Sequence, residues 1–195
     1  MEKVLIGAGG FAREIKAHMN IPDMKCFVDD EYYSPNENNI FPLSEFDEDK
    51  YEALIAIGNP LDRYDVSQKL PKNTKYFKFI HPSALLLDSD IEIGNGSIVC
   101  ANVIITTNVK IGKHAHINLQ TTIGHDVVIG DFFTSAPGVK ISGNCKIYDM
   151  VYIGTNASIK EKISIHSLST IGLNAGVVKH IEQPGTYVGT PAKKI

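Results

Sequence analysis

From residue 91 to residue 177 the chain repeats an aliphatic residue on a six-residue beat. Every sixth position from 93 reads Ile93, Val99, Ile105, Ile111, Ile117, Ile123, Ile129, Ser135, Ile141, Ile147, Ile153, Ile159, Ile165, Ile171 and Val177, with Ser135 the one break in an Ile/Val rank. Two residues before each stands a second rank, mostly small or β-branched, as at Val103, Val109, Ala115, Thr121, Val127 and Ala157. A helix needs apolar spacings of three and four, and an ordinary strand alternates without a six-residue beat. Short β-rich segments with a turn every six residues describe a parallel β-solenoid, in which each side of a coil adds one strand to a growing sheet. With a triangular cross-section, three hexads close a coil of about 18 residues and the run makes about five coils. The unbroken register leaves no long loop between them.

Ahead of this run the pattern changes. Residues 3–6 form a β-prone stretch that enters Gly7-Ala8-Gly9-Gly10-Phe11-Ala12. A helix is expected over 13–19 and a strand over 26–28, ending on Asp29-Asp30, which makes a βαβ unit. A further strand over 53–57 meets Gly58-Asn59-Pro60, followed by a helix over 61–70 and a stretch over 76–80 before His81-Pro82. Two domains are therefore predicted: a small Rossmann-like α/β domain over 1–82 and the solenoid over 83–195, whose tail after Val177 carries turn residues and no hexad.

Over 195 residues, 43% are hydrophobic and 21% charged, the composition of a globular chain with a core to bury. Nineteen Lys and Arg against 22 Asp and Glu give a net charge of -3, no field for holding nucleic acid or an acidic membrane. Cys26, Cys100 and Cys145 are odd in number and unpatterned, which predicts free thiols in a reducing compartment, neither a disulfide framework nor a metal knuckle. No apolar stretch is long enough to span a bilayer, and the expectation is a soluble cytoplasmic protein.

Gly7, Gly9 and Ala12, with Asp29 about 20 residues on, fit the dinucleotide-binding fingerprint. Glycines after a strand let backbone N–H groups at a helix start approach phosphate, whatever the rest of the ligand. About 80 residues supply one mononucleotide half and not the usual pair. The reading is a nucleotide or nucleotide-sugar site, with a dinucleotide or a purely structural turn as alternatives.

His125 lies two places after the inward Ile123, at a solenoid corner facing out. A neutral imidazole there can take a proton from an incoming nucleophile, and Asp126 is its candidate partner if turn geometry lets the two meet. Side chains one coil apart stack along the solenoid, so Gly143 falls beside His125 and leaves room for an acyl group, while Pro137, Thr155 and Leu173 form a rank that an extended ligand could follow. His114 and His116 invite a metal reading, but their places in the hexads do not converge with His125 without a partner chain, so no metal is expected. His18, His81, His166 and His180 are read as caps, turns or surface residues, and Ser135 as a relaxed packing site.

In their order along nearly the whole chain, Gly7-Ala8-Gly9-Gly10-Phe11, Phe27-Val28-Asp29-Asp30, Ile57-Gly58-Asn59, Ile80-His81-Pro82-Ser83-Ala84, Gly124-His125-Asp126 and Val188-Gly189-Thr190-Pro191-Ala192-Lys193 resemble the hexapeptide-repeat acyltransferases. Within these, the chain is similar to the sialic acid O-acetyltransferase-like family, which includes the bacterial N-acetyltransferases of nucleotide-linked 4-amino-deoxysugars of bacillosamine type. The resemblance implies a left-handed β-helix, a homotrimer, and direct acetyl transfer from acetyl-CoA to the 4-amino group of a nucleotide-linked deoxysugar. It implies His125 as general base, Asp126 as the residue that raises its basicity, and Asn118 as a contact to the acceptor. Gly9, Gly10, Phe11, Asp29, Asp30 and Gly58 match its nucleotide-sugar site, and Thr134, Gly143, Thr155 and Leu173 its acetyl-CoA groove between subunits. Thr134 departs from the bacillosamine enzyme, which has a donor-contacting histidine there. The rival readings are an O-acetyltransferase acting on sialic acid or another sugar hydroxyl, a noncatalytic nucleotide-sugar-binding solenoid, and a nicotinamide oxidoreductase.

Overall fold

The computed structural model describes residues 1–195 and divides into two compact units, Met1–Lys78 and Phe79–Ile195. In the first, β1 (Glu2–Ile6), α1 (Gly10–Met19), β2 (Cys26–Val28), β3 (Ile40–Pro42), β4 (Tyr51–Ile55), α2 (Pro60–Lys69) and β5 (Lys75–Tyr76) follow in sequence. The sheet is parallel throughout, in the order β3-β2-β1-β4-β5. Val4, Ile6, Phe27, Ala53 and Ile55 form its core with Phe46 and Leu70. The chain leaves β1 toward β2 and returns to its other side at β4, so the carboxyl ends of β1 and β4 flank a topological switch point, where open α/β sheets take ligands.

Local chemistry sets both helices. Asn59 caps α2 by accepting from the Leu61 N–H at 2.9 Å, and Pro60 fills the first helical position. α1 starts at Gly10, ahead of the expected residue 13, and ends where Asn20 turns left-handed at φ 57°. β4 ends at Ile55, two places before the expected 57, and β3 lies in a stretch whose Asn and Glu residues hid it.

In the second unit, two-residue strands pair in parallel, each with its equivalent one coil on. Ile105 meets Ile123, Ile123 meets Ile141, Ile141 meets Ile159, and Ile159 meets Val177. The other two sides repeat this through Ile111, Ile129 and Ile147, and through Ile117, Ser135 and Ile153. The aliphatic rank fills the interior. Ser135 is fully buried too, and its hydroxyl meets that of Thr121 at 3.1 Å, so the break in the rank is a paired polar contact.

The solenoid begins earlier than the sequence suggested. Phe79–Ile80 already pairs with Ile98–Val99, and Leu85–Leu86 with Ile104–Ile105, which moves the joint from 82/83 to 78/79. One solenoid sheet thus has six strands, a coil beyond the expected five. Leu86 is partnered by Ile105 and Ile93 by Ile111, so the stretch from Leu86 to Ile93 is one residue longer than a hexad; this slip breaks the beat and hides the first coil. The tail also adds structure: Ile181 bridges Ile165, and Gly185–Val188 pairs in parallel with Ser169–Ile171. No helix is long and apolar enough to cross a membrane.

Candidate active site

The corner after the strand Thr122–Ile123 carries His125 and Asp126. Asp126 has φ 59°, a left-handed conformation that aspartate tolerates. In that turn the neighbouring side chains meet, and His125 Nδ1 lies 2.7 Å from Asp126 Oδ2. The Nδ1–H donates to the carboxylate, which leaves Nε2 with a lone pair on a side chain 59% exposed. The second carboxylate oxygen accepts from Asn108 Nδ2 at 2.7 Å, one coil below. Hydrogen bonds from His125 first, then Asn108, hold the Asp126 carboxyl below the usual carboxylate range, so it is ionised at neutral pH.

Gly143 stacks on this corner, with Asn144 N–H donating to the His125 carbonyl at 2.8 Å. A Cβ at Gly143 would stand 2.6 Å from His125 Nε2. Its backbone is not in the left-handed region, so glycine is needed here for space and not for conformation. The Gly143 N–H is not taken up by the ladder. A basic nitrogen, an open surface and a backbone donor thus adjoin, the set required to deprotonate a nucleophile and steady an oxyanion.

The remaining sequence candidates of this unit fall elsewhere. Asn118 follows the strand His116–Ile117 on the preceding corner, and its Oδ1 accepts from the Leu119 N–H at 2.7 Å. Thr155 and Leu173 stack on that same edge, where Asn174 N–H donates to the Thr155 carbonyl and Leu173 is 71% exposed. Thr134 sits within the strand Thr134–Ser135, between His116 and Tyr152, and only 4% of it is exposed. One chain therefore gathers His125, Asp126 and Gly143 on one edge and Asn118, Thr155 and Leu173 on another. His114 stacks on the Phe132 ring at 4.8 Å, and His116 is buried.

Continuing up the His125 edge, Lys160, Lys162, Lys179 and His180 line a cavity of about 590 Å³ together with Glu161 and Glu182. Sequence reasoning passed over this cluster, although Glu161 and Lys179 are the next two positions above Gly143 in the stacking rank.

In the first unit a cavity of about 500 Å³ opens among Gly7, Gly9, Asp29, Tyr32, Ile57 and Lys69. Gly7 has φ +101°, and a Cβ there would press on Ile57 at 3.1 Å, so this turn requires glycine. Gly9 is different: its φ is -70° and a Cβ would meet nothing within 4 Å. Nothing inside the chain needs glycine at 9; the space it leaves lies on the cavity, at the start of α1, which lacks a side-chain cap. Gly10 and Phe11 open α1 and do not line the cavity.

Asp29 lines the cavity and pairs with Lys69 of α2, which raises the lysine's pKa. Asp30, expected at the same site, is used elsewhere. Its Oδ1 accepts the Ser44 N–H at 3.0 Å, and that bond holds its carboxyl below the ordinary range. Gly58 contributes its carbonyl to Arg63 Nη1 at 3.1 Å, beside a 2.6 Å bond from the same nitrogen to the Ile57 carbonyl. Burial pulls the Arg63 guanidinium down to about 9, which leaves it protonated at neutral pH as the fastener of the β4–α2 loop.

A small α/β unit with a glycine turn, followed by a solenoid with a His–Asp corner beneath a glycine, defines a hexapeptide-repeat acyltransferase on a left-handed β-helix. The PglD N-terminal domain family matches residues 4–70. The GDP-perosamine N-acetyltransferase of Escherichia coli O157:H7 is 33% identical over 173 residues, covering 82% of this chain and 78% of that protein. WeeI from Acinetobacter baumannii AYE is 31% identical with a TM-score of 0.88 over the whole of both chains. The acetyltransferase domain of PglB from Neisseria gonorrhoeae, solved with acetyl coenzyme A, is 25% identical with a TM-score of 0.85, covering 100% of this chain and 98% of that one. The chain belongs to the hexapeptide-repeat sugar N-acetyltransferases.

Proposed function

We propose that this protein transfers the acetyl group of acetyl-CoA to the 4-amino group of a nucleotide-linked deoxysugar by direct attack, with His125 as the general base. The amine lone pair adds to the thioester carbonyl while Nε2 takes the amine proton. The Gly143 N–H donates to the oxyanion, the C–S bond breaks, and the imidazolium returns its proton to the departing thiolate. Ionised Asp126 holds the ring by Nδ1 and steadies the positive charge it gains. The observation that carries this reading is the 2.6 Å separation between a Gly143 Cβ position and His125 Nε2, a space kept open where the acyl carbon must sit.

The unit Met1–Lys78 holds the nucleotide, with Gly9 and the start of α1 toward phosphate and Asp29 toward the ribose. Gly9→Leu is expected to raise the acceptor's KM at least roughly tenfold with the acetyl-CoA KM unchanged, since φ -70° accommodates leucine and only the ligand's space is lost. Steady-state kinetics with each substrate varied in turn checks this; an unchanged acceptor KM would mean that the cavity does not hold the acceptor. The cations at 160, 162 and 179 are suited to the phosphates of the donor. The setting is the cytoplasm, a reducing compartment in which Cys26, Cys100 and Cys145 stay free thiols.

The working form is a homotrimer. Its support is the division of the site candidates between two edges of one chain: a second copy, packed edge to edge in a closed ring, supplies what the first lacks. Light scattering is expected to give the mass of three protomers at micromolar concentration. A fully active monomer would contradict this.

Offered acetyl-CoA and a panel of UDP-, dTDP- and GDP-linked 4-amino-sugars, the protein is expected to release free thiol with at least one. No thiol release above background with any of them would remove the proposed activity.

A further inference from the structure

We infer that Asn108 is a positioning residue for this reaction, its amide fixing the Asp126 carboxylate so that the other carboxylate oxygen stays on His125 Nδ1. The inference rests on His125 being the base. Asn108 holds the same place as Asp126 on the coil below, and both occupy the left-handed corner position, at φ 51° and 59°. Asparagine is common at such positions for conformational reasons alone. Its side-chain contact is what sets this one apart.

The two carboxylate oxygens of Asp126 are divided: Oδ1 accepts from Asn108 Nδ2 at 2.7 Å and Oδ2 meets His125 Nδ1 at 2.7 Å. A carboxylate held by one oxygen can rotate about its Cβ–Cγ bond; held by both, it cannot turn without losing a charge-assisted hydrogen bond. The acids Asp131 and Asp149, on another corner, are used otherwise. Asp131 Oδ1 accepts the Lys113 N–H at 2.7 Å, and Asp149 Oδ1 accepts the Asp131 N–H at 2.8 Å, so each fastens the backbone of the coil below. Asp126 fastens no backbone group. Both of its bonds go to side chains, and the backbone turn at 126 is made independently, by its N–H donating to the Thr107 carbonyl. The Asn108–Asp126–His125 chain is therefore dispensable to the coil and directed at the imidazole.

The electrostatic setting is simple. Asn108 below and Asn144 above carry no charge, Glu161 and Lys162 lie one coil beyond Gly143 and Asn144, and His125 is the one titratable group whose field bears on the Asp126 carboxyl. A donor on Oδ1 draws electron density from the carboxylate. Its loss makes Asp126 a stronger acceptor and His125 a stronger base, while freeing the carboxylate to rotate.

Asn108→Gly is the informative variant, because glycine accepts φ 51° without strain and removes only the amide. The expected result is a kcat lower by roughly threefold to thirtyfold, unchanged KM for both substrates, and an acidic limb of the kcat/KM profile moved to higher pH. Asn108→Asp, which sets a second carboxylate against Asp126, should move that limb further the same way. A wild-type kcat and pH profile in Asn108→Gly would overturn the inference. So would a loss of activity that follows thermal stability with no movement of the limb. His125→Ala, assayed beside them, separates the two levels: if it retains wild-type turnover, the underlying reading fails; if it is inactive while Asn108→Gly is unaffected, only the role of Asn108 fails.

Discussion

Replacing His125 with alanine is expected to lower kcat by roughly 100-fold to 10,000-fold, the range for losing a general base, with acetyl-CoA binding almost unchanged. Its side chain is mostly exposed and holds no part of the solenoid core, so the variant should fold as the wild type does. Asp126→Ala is expected to cost less, because the imidazole survives and only its orientation and basicity suffer. The pH dependence follows from signs. The Asp126 carboxyl is held below its usual range by His125 and Asn108, so it is ionised near neutrality and owns no limb there. A rising limb near neutrality belongs to the imidazole or to the sugar's amine. A limb that persists in the residual activity of His125→Ala belongs to the sugar; one that vanishes belongs to His125. Near wild-type turnover by His125→Ala at saturating substrates would refute the mechanism.

Gly143→Ala should be nearly as damaging, at least roughly 100-fold in kcat/KM. The added methyl would stand 2.6 Å from Nε2 and 2.7 Å from Cε1 of His125, a contact that cannot persist. The ring is the far end of an exposed side chain, so it yields at little cost in stability, but it yields by leaving the carboxylate at Asp126 and the space meant for the acyl carbon. The variant should therefore keep the wild-type melting temperature and lose activity. A Gly143→Ala protein with wild-type kcat/KM would show that this surface is not where the thioester sits.

The solenoid was plain in the sequence because one geometric rule, a turn every six residues with the aliphatic inward, acts on every coil from Ile93 to Val177. Where the chain departs from three hexads per coil, the rule fails. The slip between Leu86 and Ile93 concealed the first coil, and the tail strand Gly185–Val188 pairs back on Ser169–Ile171 over a shorter step than the hexads set. The coil step also located Gly143 beside His125 from the sequence alone, and carried one coil down from Asp126 it would have found Asn108. In the first unit, the glycine turn and Asp29 were legible as a pattern. Asp30 was not separable from Asp29, since its use by Ser44 depends on how residues 43–45 fold back, which no local motif encodes. Lys69 was equally hidden: it pairs with Asp29 from the far end of α2, distant in sequence.

What the acyl group is attached to at the end of the reaction tests the central claim most directly. The product formed from acetyl-CoA and the best nucleotide-linked 4-amino-sugar, isolated and examined by NMR, is expected to carry the acetyl group as an amide on the 4-nitrogen, in an amount equal to the thiol released and falling with His125→Ala. An acetyl ester on a sugar hydroxyl, with the 4-amino group unmodified, would contradict the account.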